Sequence, residues 1–368
     1  MTSLTNGVHP MSNELAAEGS ASTGNLPGSG VPPPLDERSR QLGPFARIMR
    51  RPDFGALIGV AFTWMLFAWT GGTQFASIGG TVSYLSTAAE LGIIAVPVAL
   101  LMIGGEFDLS VGSMVGAGGM IMTLLAVSFS VPLWLAVLIA LVFGATFGLL
   151  SAWITVRTNL PSFIVTLAGF FILRGLTIAL TRLITGRTQV SGLDQVSGHQ
   201  VASIFTAHIG QFNVTLIWWI GLVAFGAWVL TRTSFGNWIT AVGGSEEGAR
   251  NSGVPVIRVK FVLFAATGLA AALLGIIQCL EAGSADTLRG QGKEFEAIIA
   301  AVIGGNLLAG GYGSVMGAAL GALTFAIVRQ GIFFTGLDTD WFQVILGSLL
   351  LVAVLANNSL RQRALKAR

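Results

Sequence analysis

Apolar runs of roughly 20 residues recur from residue 54 to residue 357, parted by short polar breaks. A helix needs about 20 mostly apolar residues to cross a bilayer. The pattern predicts spans near 54–72, 83–103, 109–129, 131–156, 162–184, 214–231, 259–280, 295–309, 314–335 and 341–357. The eighth and tenth are short, and Gly304 and Gly305 break the eighth, which leaves a re-entrant reading open for it. Residues 1–44 are rich in Ser, Gly, Pro and Asn, with the run Val31-Pro32-Pro33-Pro34, and read as a disordered tail. The expected fold is an all-α polytopic membrane protein of eight to ten helices, with the transmembrane domain over residues 45–360.

Composition agrees. Hydrophobic residues make up 53% of the chain, charged residues 10%, and mean hydropathy is +0.76; a soluble domain carries about 25% charge. Basic residues gather in cytoplasmic loops of membrane proteins. With the N-terminus inside, fourteen Lys and Arg fall on the cytoplasmic side, against Arg187, Arg289 and Lys293 outside. That bias requires an even number of spans, both termini cytoplasmic, and a basic tail at 361–368. It leaves a cytoplasmic loop at 232–258 and outer loops at 185–213 and 281–294. Trp64, Trp69, Trp134, Trp153, Trp218, Trp219 and Trp238 lie near span ends, as in an aromatic belt.

Several functions are excluded. The single cysteine, Cys279, permits no disulfide framework. Lys260, Lys293 and Lys366 are the only lysines, and none precedes Ser or Thr, so the chain has no Walker A loop. His9, His199 and His208 show no metal-ligand spacing. No cofactor and no nucleic-acid partner is expected; the surrounding lipid is. A membrane-embedded enzyme is disfavoured, because the spans hold no nucleophile and base pair.

Four features could carry chemistry. In Gly104-Gly105-Glu106-Phe107-Asp108-Leu109-Ser110-Val111-Gly112-Ser113, either Asp108 or Ser110 can cap the helix that follows. The alternative is an ion or substrate site, with Ser113 nearby. Gly112, Gly116, Gly118 and Gly119 would let another helix approach closely. In the cytoplasmic loop, Gly243 and Gly244 precede Ser245, which reads as an N-cap, with Glu246 and Glu247 in an acidic first turn. Ala249 and Arg250 continue this short helix, Ser252 follows, and Gly253 fits the C′ position. Such a helix suits a partner's groove; a solvated connector is the plainer reading. Glu90 and Arg174 are intramembrane ionisable residues, costing about 2.5–3.5 kcal/mol each at a helix centre. Their opposite charges would allow an interhelical pair. The outer loop holds Asp286, Arg289 and Lys293, a solvated turn or a docking face.

The Glu-Phe-Asp-Leu-Ser-Val-Gly-Ser run resembles the ribose/xylose-type sugar permeases of ABC importers, in which Gly-x-Asp-Leu-Ser-Val-Gly-Ser joins two spans. Gly243 to Val254, Glu294 to Gly317 and Leu173-Arg174-Gly175 are similar to further segments of that family, in order. Glu106 adds an acid to the first motif, Gly248 and Asn251 alter the loop, and Asn306 stands where the family often has a small hydroxyl residue. The resemblance implies a second permease copy, most simply a homodimer, with a cytoplasmic ABC ATPase and an extracytoplasmic sugar-binding protein. The loop at 243–254 would be the coupling helix, Arg187, Asp286, Arg289 and Lys293 would face the binding protein, and Glu90, Asp108, Ser110, Ser113, Arg174 and Asn306 would be translocation or structural residues. The expected function is monosaccharide import across the inner membrane by ATP-driven alternating access. Import of another solute, such as a branched-chain amino acid or a furanose signal molecule, is the first rival. An ion-coupled secondary transporter is the second, with only Glu90 to support it.

Overall fold

A computed structural model of the chain describes residues 52–366 except 337 and 339, with side chains over 53–355. The expected tail at 1–44 lies outside the described residues. Among the described residues, eight helices are long and apolar enough to cross a membrane. They are α1 (Pro52–Thr70), α2 (Ile78–Ile103), α3 (Val111–Thr123, continued as a π-helix over Leu124–Ser128), α4 (Leu133–Thr158), α5 (Ser162–Thr185), α7 (Thr215–Arg232), α10 (Val256–Ala282) and α12 (Val315–Thr335). Between them lie α6 (His199–Thr206), in the loop after α5, and the two short helices α8 (Ser234–Gly244) and α9 (Glu246–Asn251). Helix α11 (Lys293–Ile303), helix α13 (Trp341–Lys366) and two single turns, Gly72–Phe75 and Leu193–Gln195, complete the set. The basic segment begins within α13, whose backbone runs on to Lys366.

The predicted eighth span is replaced by α11. Its 11 residues reach about 16 Å, half of a bilayer core. It stops at Gly304-Gly305, where Gly304 N–H donates to Ala300 O (3.0 Å) and Gly305, at φ +89°, donates to Val302 O (2.9 Å). Helix α2 stops in the same way. Gly104 N–H donates to Leu100 O (3.0 Å), and Gly105, at φ +85°, donates to Met102 O (2.9 Å). The repeated Ile-Gly-Gly is therefore one helix stop used twice.

Burial sorts the helices into an inner and an outer set. Over an apolar stretch of 18 residues in each helix, between 67% and 83% are buried in α2, α3, α10 and α12, against only 17% in α1, α5 and α7. The outer set presents Phe62, Trp69, Ile172, Leu183 and Phe225 outward, as lipid or a second subunit would require. Small residues hold the inner set together. Gly144 and Gly148 of α4 meet the backbone of Gly268 and Phe264 on α10, and a side chain at any of these glycines would overlap the facing carbonyl. The glycines of α3 serve two neighbours: Gly118 and Gly119 face Ala272 and Gly275 of α10, while Gly112 and Gly116 face the segment 287–294. Trp219 departs from the expected belt: it is buried, with its indole against Gly92.

Among the described residues, four short strands tie the loops at 185–213 and 281–294: β1 (Gln189–Ser191), β2 (His208–Ile209), β3 (Phe212–Asn213) and β4 (Ser284–Asp286). Antiparallel β1 and β4 pair Gln189 with Asp286 and Ser191 with Ser284, joining two loops that the sequence places almost 100 residues apart.

Candidate functional site

The loop 232–258 folds as its residues dictate. The Ser245 hydroxyl accepts from Gly248 N–H (3.1 Å), so Ser245 caps α9. Glu246 and Glu247 fill the acidic first turn, Arg250 the last, and Gly253, at φ +81°, is the C′ residue. Gly243 and Gly244 end α8. A Cβ at Gly243 would overlap the Ile103 carbonyl, which itself accepts from Gly311 N–H (2.8 Å). This glycine lets the loop, the end of α2 and the segment 304–314 share one contact. Ala249 anchors α9 from beneath, buried with Val256, Val259 and Ile239, while Glu247, Arg250 and Ser252 stay exposed. The result is a short, capped, charged helix standing on a packed base.

Lys260 links that helix to the interior. Its ammonium donates to Glu246 (2.7 Å) and to Glu106 (2.6 Å), and Glu246 also pairs with Arg250 (2.9 Å). The Lys260 ammonium, helped by Arg250, holds the Glu246 carboxyl below its ordinary value of 4.5. Both Lys260 and Glu106 are buried, with side chains 10% and 11% exposed. Two residues on, Asp108 accepts from Ser110 N–H (2.9 Å), Ser110 Oγ (2.6 Å) and Thr267 Oγ1 (2.6 Å). Thr267 lies about 16 Å into α10. The chain thus turns back inward after α2. Ser110 does occupy the N-cap of α3, but its hydroxyl donates to Asp108 and makes no capping bond. Asp108 fastens the returning segment to α10, in place of the capping role open to it from sequence.

The other interior candidates separate. Ser113 Oγ donates to Phe170 O (3.0 Å), tying α3 to α5. Asn306 is fully buried: its amide donates to Ala301 O (2.9 Å) and accepts from Ser314 N–H (2.7 Å), which closes the segment after α11. The expected pair of Glu90 with Arg174 does not form among the described residues. Arg174 lies over the Phe170 ring, 5.7 Å from its centroid, while Glu90 accepts from Gln278 Nε2 (2.5 Å). Charge complementarity alone suggested the pair, but α2 meets the amide of α10 instead.

In the loop after α5, Arg187 is exposed and lines, with Arg182, Thr188 and Gln189, an open cavity of about 590 Å³. Asp286 accepts from Leu288 N–H (2.7 Å) and shapes its own turn. Arg289 and Lys293 are drawn inward. Arg289 donates to the carbonyls of Gln278 (3.1 Å) and Ser284 (3.2 Å), and Lys293 pairs with Glu296 (2.7 Å). Sequence reading missed Lys260, Gln278 and Glu281, which the structure brings into polar contacts between distant segments. Their signal was polarity on an otherwise apolar helix, with Gln278 and Glu281 three apart on one face of α10.

The family described as "Branched-chain amino acid transport system / permease component" matches residues 80–354. The chain belongs to this permease family. Among its relatives is the xylose transport system permease protein XylH of Escherichia coli (strain K12), 31% identical, with 82% of this chain and 90% of that one aligned. The probable ABC transporter permease protein YphD of the same strain is 33% identical, over 86% of this chain and 92% of its own. The ribose import permease protein RbsC, also of that strain, is 31% identical over 77% and 87%. No solved structure matches the chain significantly. The permease is therefore a transport subunit of an ABC importer in the inner membrane. It is not itself an enzyme: ATP hydrolysis belongs to a separate ATPase subunit, and a substrate-binding protein completes the system.

Proposed function

We propose that this permease imports a neutral monosaccharide, as one half of a homodimeric pore. The observation that carries the substrate class is its likeness, over most of its length, to permeases named for xylose and for ribose. The exposed helix α9 is the segment that sits in the ATPase groove. Its cap and charges fix its shape, and Ala249 sets it on the ends of α2 and α10. The Lys260 link gives a push on α9 a route to the segment 104–110, which Asp108 fastens to α10. ATP-driven closure of the ATPase pair then moves these helix ends together, and the pore changes the side it faces. The outer loops around Arg187 receive the binding protein. A second reading, a branched-chain amino acid as cargo, is favoured by the family's description.

One competition experiment separates the two. Proteoliposomes holding the permease, its ATPase and its binding protein are expected to accumulate labelled xylose or ribose. Excess unlabelled pentose should suppress uptake, and excess leucine should not. Accumulation of leucine in place of pentose would replace the sugar reading.

A further inference from the structure

We infer that the cavity between the outer halves of α2 and α10 binds a neutral polyhydroxylated solute in the permease itself. This rests on the monosaccharide reading and deepens it, by naming where the solute is held. The cavity is about 320 Å³ and is lined by Glu90, Gln278, Glu281, Ala282 and Arg289. That volume is at the small end of ligand sites, enough for one small molecule.

Each polar side chain there is held by an anchor and keeps hydrogen-bonding capacity to spare. Glu90 accepts from Gln278 Nε2, which leaves its second oxygen and the Gln278 amide oxygen. Glu281 Oε1 accepts from Asn213 Nδ2 and from Thr215 Oγ1 (3.1 Å), which leaves Oε2. Arg289 is fixed by two backbone carbonyls, and its Nε is buried with no partner. Carboxylates accept from hydroxyls, a guanidinium donates to them, and an amide does both. A ring of vicinal hydroxyls asks for that mixture.

The placement of the acids argues against a merely solvated surface. Glu281 is in the last turn of α10, where the helix dipole favours a cation. Glu90 is in a spanning helix, where a carboxylate is costly. Two carboxylates against one guanidinium also leave the site net negative, so it should refuse an anionic sugar.

The test uses the assembled transporter in proteoliposomes. Ala282 is exposed at the cavity, whereas the one native cysteine, Cys279, is buried. A282C is labelled from outside with a membrane-impermeant maleimide, with the unmodified chain as background. Xylose or ribose should slow labelling at least threefold, and ribose 5-phosphate should not. In the same assay E90Q and Q278A should each raise the half-protecting pentose concentration by about tenfold, the worth of a charge-assisted hydrogen bond. If A282C does not assemble, the same two substitutions are read as a rise in KM for pentose uptake with little change in kcat. Pentose uptake with unprotected labelling, or with an unshifted KM, overturns the site and leaves the import reading standing. Protection by calcium ion or by ribose 5-phosphate in place of pentose also overturns it. Failure of every monosaccharide to be taken up strikes the import reading instead.

Discussion

Lys260 is the residue whose loss should be felt most widely. Removing its side chain in K260A leaves Glu106, 11% exposed, as an unpaired charge in the protein interior. Breaking a buried pair from one side costs about 3–5 kcal/mol. The second contact, with Glu246, is 43% exposed on the acid's side and is worth about 0–1 kcal/mol. K260A should therefore destabilise the permease by about 3 kcal/mol or more, and E246Q by no more than about 1 kcal/mol. Replacing both buried charges, in E106Q with K260M, should recover most of the loss, because no charge is then left unpaired. The assay is unfolding of the purified chain in detergent micelles, followed by tryptophan fluorescence, as a double-mutant cycle. K260A within about 1 kcal/mol of the parent, or two changes that simply add, would refute a buried Lys260–Glu106 pair. The stable double variant then tests the link itself: it should assemble and yet lose coupling between ATP hydrolysis and uptake.

Other consequences follow from single contacts. G243A should impair packing of α8 against the end of α2, since a Cβ there overlaps the Ile103 carbonyl; normal yield and thermal stability would contradict the close approach. Glu246 has a lowered carboxyl pKa, so its contribution is complete above the ordinary value of 4.5 and is lost as pH falls through the lowered value. Hydrogen exchange of α9 should accordingly be constant from pH 8 to about pH 5 after correction for intrinsic rates, and should rise only below that. The changes R174L and E90Q should be additive in stability within about 0.5 kcal/mol, because the two residues meet different partners; a larger coupling energy would restore the pair.

What sequence conveys here is what is local. Ser245, the acids after it and Gly253 describe a capped helix because every bond of that cap spans only three to five residues. Gly304 and Gly305 announce the stop of α11, and run length and apolarity announce the spans. What stays hidden is made by distant partners. Glu106 and Lys260 are 154 positions apart and Glu90 and Gln278 188, and nothing near either member of a pair points to the other. Opposite charge was a poor guide for Arg174, which found an aromatic face instead. The strand pair of β1 and β4 was equally silent, since three residues in a polar loop carry no period.

This chain is a transport subunit whose work is done by a separate ATPase. Uptake of labelled pentose into proteoliposomes tests it most directly. The permease alone should accumulate nothing under an imposed proton or sodium gradient. With its ATPase and binding protein it should accumulate pentose when ATP is supplied, and collapse of the proton gradient at constant ATP should leave that rate unchanged. Concentrative uptake by the permease alone, driven by an ion gradient, would contradict the account.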